Sequence, residues 1–206
     1  HPDDRAYANP GQASRPFSVD RRGFVVSEGA GVIVLAAEEM IARYGLQARA
    51  EVRGVGWTSD AYHFTKPNPD TIVRGIREAL DDAALRPSDI QYINAHGTST
   101  PKGDLVEIEC LRTVFGRSLE KIPLSSNKSQ IGHTLGAAAA IEDALTIEGM
   151  QRGVILPTIN HIPDPRFADI DCVPNTARPH RCEMALSNAF GFGGTNCCII
   201  FRGVAP

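Results

Sequence analysis

No Cys-x-x-Cys pair, no long apolar run, no basic block and no fixed short repeat occurs in these 206 residues. Each absence removes a class of protein. The five cysteines are odd in number and give neither a disulfide framework nor a zinc spacing. Cys197 and Cys198, adjacent in the run "CCIIF", are expected to act as small hydrophobes, one on each face of a sheet. Nothing approaches the ~18 apolar residues needed to cross a bilayer, and no cationic start leads into an apolar signal segment. The expectation is a cytoplasmic chain with no membrane partner. A net charge of −3 with unclustered Lys and Arg argues against a nucleic-acid surface. The glycine-containing run at Glu28 to Gly31 lacks the spacing of a dinucleotide fingerprint.

What is present suits one well-cored domain: 42% hydrophobic and 22% charged residues over a length that is short for two domains. Residues 1–20 read as a polar lead-in without a core face, and residues 21–206 as an α/β domain. Within that domain, Val32 to Leu35 reads as a buried strand, followed by a short helix to Tyr44 and a β-type run from Ala50 to Trp57. Apolar residues at three- and four-residue spacing predict a helix from Pro69 to Leu85. "IQYINAH" is the next strand, and Asp104 with Glu107 resembles a capping pair opening a helix that stops at Gly116. A strand at Ile122 to Asn127, an Ala-rich helix from about Thr134 to Met150, and the extended runs "VILPTI", "EMALSNAF" and "CCIIFR" follow. Alternating strands and helices imply a layered mixed sheet, antiparallel at its end where a short turn joins the last runs.

Three segments concentrate chemistry. "INAHGTSTP" places His96 where a strand breaks into a turn, the position at which α/β folds present exposed and rigidly held groups. Its Thr98 and Thr100 hydroxyls equally suit a turn that satisfies its own backbone. "SSNKSQIGHTLGAAAAIE" carries Lys128, then His133 at the mouth of a helix, where a neutral imidazole that donates a hydrogen bond is favoured. Glu142 in that apolar stretch requires a partner if buried, and Lys128 is the candidate. "SNAFGFGGTN" frees the backbone for positive φ or for close approach to a ligand, at Gly191, Gly193 and Gly194.

"NAHGTSTP.GD", "NKSQIGHTLGAA....E" and "SNAFGFGGTN", together with "DRRGFVVSEGAGVIVL" and "DAYHFTKP", resemble in order the β-ketoacyl-acyl-carrier-protein synthases of the thiolase superfamily, most closely the elongating type II enzymes. The resemblance runs from about Ser14 to the C-terminus. It implies the C-terminal half of a thiolase-like fold. Family members are about twice this long and take their nucleophilic cysteine from a preceding segment. None of Cys110, Cys172, Cys182, Cys197 or Cys198 has that context. His1 in place of an initiating Met favours an excised or cleaved piece.

Carried over residue by residue, the resemblance makes His96 and His133 the catalytic pair that donates hydrogen bonds to a thioester oxygen. Lys128, tied to Glu142, orients the site. Thr98 and Thr100 match the threonines that bind the phosphopantetheine arm. Phe192 matches the gating phenylalanine, whose N–H contributes to the oxyanion hole. Some relatives hold a monovalent cation near Asn94, Ala95, Glu142, Ser187 and Asn188; no tightly bound cofactor is implied beyond that candidate ion. Implied partners are a cysteine-bearing N-terminal half, an acyl carrier protein and a second ketosynthase in a dimer, for fatty acid or polyketide synthesis. The alternative is a non-catalytic partner like the chain-length factors of aromatic polyketide systems, but those tend to lose the residues retained here. On this reading the purified 206-residue chain alone does not condense acyl and malonyl carrier protein; product formed by it in a carrier-protein assay would contradict the reading.

Overall fold

The computed structural model describes residues 9–204. Residues 1–8 of the expected lead-in, and residues 205–206, lie outside the described residues. In chain order the regular elements are α1 (Glu38–Tyr44), β1 (Ala50–Ser59), α2 (Pro69–Asp82), β2 (Tyr92–Asn94), α3 (Gly103–Phe115), β3 (Leu124–Ser125) and α4 (Lys128–Ile131). They continue with α5 (Ala138–Arg152), β4 (Val154–Ile155), β5 (Arg178–Pro179), β6 (Met184–Phe190) and β7 (Thr195–Gly203).

Five strands form one mixed sheet in the order β1-β7-β6-β2-β3. β1, β7 and β6 run antiparallel, whereas β6, β2 and β3 run parallel, with Asn94 opposite both Ser187 and Ser125. Strand alternation sends Leu186 into the core with Ile72, Ile76, Ile108 and Leu111 of α2 and α3, and sends Ser187 to the other face, where it meets Asp143 of α5. The sheet is therefore covered by helices on both faces, the layered α/β arrangement expected. Cys198 is fully buried and Cys197 partly so, as the adjacent pair requires.

α2 starts at Asn68, whose side chain accepts from the Asp70 N–H at 3.1 Å, with Pro69 in the first turn. Its amphipathic stripe buries Ile72, Ile76, Ala79 and Leu80. The helix ends at Asp82, before the expected Leu85, because Ala84 turns to φ +54° ahead of Arg86-Pro87. Close approach of α2 to β1 depends on glycine: a Cβ on Gly56 would lie 1.8 Å from the Gly75 carbonyl oxygen, and one on Gly54 2.3 Å from that of Ala79.

Several expectations are corrected. Val32 to Leu35 forms no strand, and Val32, Val34 and Leu35 are 87%, 87% and 77% exposed. The segment belongs to no strand among the described residues; the glycines just before it lie against α5, where a Cβ on Gly31 would be 2.8 Å from the Ala140 carbonyl carbon. The lead-in does have a core face, for Phe17 is fully buried and meets Phe167 edge-on at 6.2 Å. Strand β3 covers only the middle of the expected Ile122–Asn127 run, and a 3-10 turn at Leu135–Ala137 delays α5 to Ala138. No helix among the described residues is long and apolar enough to cross a membrane.

The Gly56 contact generates a stability prediction. Gly56→Ala is expected to lower unfolding free energy by about 1–3 kcal/mol through overpacking, measured by urea titration; an unchanged midpoint would contradict it.

Candidate active site

Strands β2, β3 and β6 run parallel, so their carboxyl ends open at one edge of the sheet. Each delivers one of the three segments. His96 follows β2, Lys128 follows β3, and the Gly191–Gly194 turn follows β6.

The His96 loop is held from behind by Glu107, whose two carboxylate oxygens accept from the His96 and Gly97 N–H groups, each at 2.8 Å. Asp104, one turn earlier on α3, accepts from the Phe17 N–H at 2.8 Å and lies 3.5 Å from Arg21. These acids are not the capping pair expected: both are buried and tether loops rather than the first turn of their own helix. Burial lifts Asp104 to about 7, against the opposing N–H of Phe17 and the Arg21 charge. Arg21 also donates to the Thr100 and Pro101 carbonyls at 3.2 and 3.1 Å, fixing the turn after His96. Gly97, at φ +32°, has no room for a side chain, since a Cβ would be 2.7 Å from Ser126 Cβ and 2.9 Å from Phe17 Cζ.

His133 is fixed by the extended segment beside it. Its N–H donates to the Val25 carbonyl at 2.7 Å, and its carbonyl accepts from the Ser27 N–H at 3.1 Å. Its Nδ1 accepts from the Leu135 N–H at 3.2 Å, which assigns the proton of the neutral ring to Nε2. The His96 and His133 rings meet edge to face, centroids 5.7 Å apart. Burial first, then the Lys128 charge, lowers His133 to about 4; burial, Lys128 and His133 hold His96 well below the ordinary value. Both imidazoles are thus neutral at neutral pH.

Lys128 and Glu142 form the expected ion pair, Nζ to the two carboxylate oxygens at 2.6 and 2.9 Å, with both side chains 1% exposed. Phe24 packs on His133 at 5.5 Å and Phe190 on His96 at 5.4 Å. Phe192 is 53% exposed, stacks on Phe64 at 5.4 Å and reaches Phe24 at 6.4 Å. An aromatic path therefore runs from the surface to the histidines. Asp60 holds the Phe64 loop to the glycine turn: its N–H donates to the Gly194 carbonyl at 2.8 Å, and its carboxylate accepts from Asn196 Nδ2 at 2.7 Å. In the turn after His96 the Thr98 and Thr100 hydroxyl oxygens lie 3.1 Å apart, and Thr100 Oγ1 accepts from the Gly103 N–H at 3.0 Å.

Sequence reasoning brought together His96, His133, Lys128 and Glu142, but missed Glu107, Phe24, Phe64 and Phe190. Glu107 carried a misleading signal, an acid near a helix start. The phenylalanines carried none beyond apolarity. No cysteine is primed as a thiolate: burial raises Cys110 and Cys182 to about 12 and lifts Cys172, Cys197 and Cys198 as well.

Residues 49–161 match the profile of the C-terminal domain of β-ketoacyl synthases. A 3-oxoacyl-[acyl-carrier-protein] synthase 2 of Staphylococcus aureus is 43% identical over 193 residues, covering 92% of this chain and 48% of that protein. Among solved structures, a type II polyketide ketosynthase in complex with its acyl-carrier protein superposes with TM-score 0.90 at 38% identity, covering 95% of this chain and 48% of that one. The ishigamide ketosynthase/chain length factor gives 0.88 at 38% identity, over 94% of this chain and 47% of that one. A β-ketoacyl synthase of Burkholderia phymatum gives 0.88 at 40%, over 99% and 52%. The chain spans about half the length of the curated relatives it matches.

The depressed histidines set a pH dependence. His133 is expected to titrate at about 4, followed by nuclear magnetic resonance of its ring. Between that value and the ordinary 6.5 the unfolded chain binds more protons, so this group's contribution to stability is lost as pH falls through that window. A midpoint at or above the ordinary value would contradict the burial argument.

Proposed function

Because the chain belongs to the β-ketoacyl synthase family, we propose that it supplies the His/His/Lys part of a condensing site for acyl and malonyl groups carried on acyl carrier protein, acting with a cysteine borne by another segment. The observation that carries this reading is the facing pair of neutral imidazoles, 5.7 Å apart, at the carboxyl ends of parallel strands.

In this mechanism the cysteine thiolate first takes the acyl group from its carrier thioester and releases the carrier thiol. The malonyl thioester then loses carbon dioxide: the bond to the carboxylate carbon breaks, and its electron pair passes into an enolate. Nε2–H of His133 and an N–H of His96 donate to the developing oxyanion without transferring a proton, the electrostatic stabilisation that preorganised donors provide. The enolate carbon attacks the acyl carbonyl, a carbon–carbon bond forms, and the cysteine thiolate leaves. Burial, with the charge of Lys128 locked to Glu142 beside it, keeps the donors neutral. The Phe192 N–H, which has no backbone acceptor among the described residues, suits the oxyanion of the acyl-cysteine, and the exposed Phe192 ring suits a gate. Thr98 and Thr100, in the turn just after His96, suit the polar phosphopantetheine arm.

A monovalent cation near Asn94, Ala95, Ser187 and Asn188 belongs to the same reading. Asn188 Oδ1 is buried without a partner, an oxygen of the hard type such an ion takes. Glu142 is already engaged by Lys128, so its part there is charge rather than a free oxygen. The segment that bears the cysteine has a surface to meet in the exposed Val32, Val34 and Leu35. Assembly as a ketosynthase dimer in the cytoplasm completes the proposal. The chain-length-factor alternative is disfavoured because both histidines and the lysine are retained, with the two rings edge to face at 5.7 Å.

In the assembled enzyme, His96→Ala and His133→Ala are each expected to slow malonyl decarboxylation by about 10² to 10³, read as carbon dioxide release, with carrier-protein binding kept. Release at the wild-type rate in either variant would sink the assignment.

A further inference from the structure

Asp143 is a buried acid that this mechanism does not use. Asp143 is 7% exposed and lies next to Glu142 on α5, yet it does not share that residue's ion pair with Lys128. A carboxylate taken out of water costs free energy unless hydrogen bonds and charges replace the lost hydration. Asp143 accepts from Ser187 Oγ at 2.6 Å. Ser187 is 4% exposed, and its oxygen in turn accepts from Asn94 Nδ2 at 3.0 Å. Asn94 Oδ1 accepts from Asn127 Nδ2 at 3.1 Å. Asn94 and Asn127 are 0% and 1% exposed, so no solvent competes for these groups.

The chain has one direction. An ionised carboxylate only accepts, so the Ser187 hydroxyl must donate to it. The Ser187 oxygen is then free to accept from the Asn94 amide. That choice turns the Asn94 carbonyl oxygen toward Asn127, which must present its own amide. Asn94 lies two residues before His96, and Asn127 directly precedes Lys128. We propose that Asp143 is a positioning residue whose carboxylate sets the direction of the hydrogen-bond chain Asp143–Ser187–Asn94–Asn127 and thereby holds the two strand ends that present His96 and Lys128.

This inference rests on the condensing role proposed above only for its kinetic consequence; the chain of hydrogen bonds stands without it. Two readouts separate them. In the 206-residue chain, Asp143→Ala is expected to shift the side-chain amide resonances of Asn94 and Asn127 and the ring resonances of His96, whereas Asp143→Asn, which keeps an acceptor oxygen, restores them. In the assembled enzyme Asp143→Ala is expected to lower kcat for condensation by about tenfold or more with KM little changed, as misplacement of reacting groups does, and Asp143→Asn to recover most of it. Ser187→Ala cuts the next link, and its effect combined with Asp143→Ala is expected to be less than additive. Unshifted amide resonances in Asp143→Ala, or additive losses in the double variant, would overturn the proposal. So would an Asp143→Asn variant as impaired as the alanine, which would assign the role to charge alone. Inactivity of the unsubstituted assembly would instead count against the condensing role, leaving the resonances to decide this one. Should Asp143→Ala not fold, Ser187→Ala and Asp143→Asn carry the same comparison.

Discussion

The Lys128–Glu142 ion pair is the constraint on which the site depends. Removing both charges from water costs several kcal/mol per ion, and contact at 2.6 Å offsets that cost only while both partners stay in place. The pair joins the end of β3 to α5, so the segment carrying His133 between them is held at both ends. The same ammonium sits close enough to both histidines to depress their proton affinity. Burial is the larger cause of their neutrality, and the ion pair adds to it while fixing the backbone, so the imidazoles donate hydrogen bonds without carrying charge.

Sheet topology supplies the rest of the convergence. Parallel β2, β3 and β6 open at a shared edge, and three loops distant in sequence meet there. The antiparallel return of β7 against β6 forces a tight turn at Gly191–Gly194, which presents Phe192 to solvent beside Phe64. Buried acids behind the loops, Glu107 under His96 and Asp104 under Phe17 and Arg21, convert flexible turns into fixed ones.

Much of this was legible in the sequence, and the failures have physical causes. Local patterns found α2, β6 and β7, because each carries an apolar period strong enough to survive its context. The Lys128–Glu142 pairing followed from the cost of burying an acid. The Val32–Leu35 run failed because an apolar stretch reports a tendency to be covered, not the identity of the cover. Phe17 failed because a single aromatic residue in a polar segment has no period. Asp104 and Glu107 failed because their partners are backbone N–H groups and an arginine brought close only by the tertiary fold, and a local cap was the simpler pattern.

On the proposed mechanism, two neutral histidines of this chain stabilise the enolate of a malonyl thioester that then attacks an acyl-cysteine borne by another segment. The most direct test joins the chain with a cysteine-bearing N-terminal half of a ketosynthase, acylates the cysteine, adds malonyl carrier protein and measures β-ketoacyl product. The account predicts condensation that appears only in the joined assembly and disappears when the cysteine is alkylated. A stable joined assembly, acylated at its cysteine yet forming no product, would contradict it.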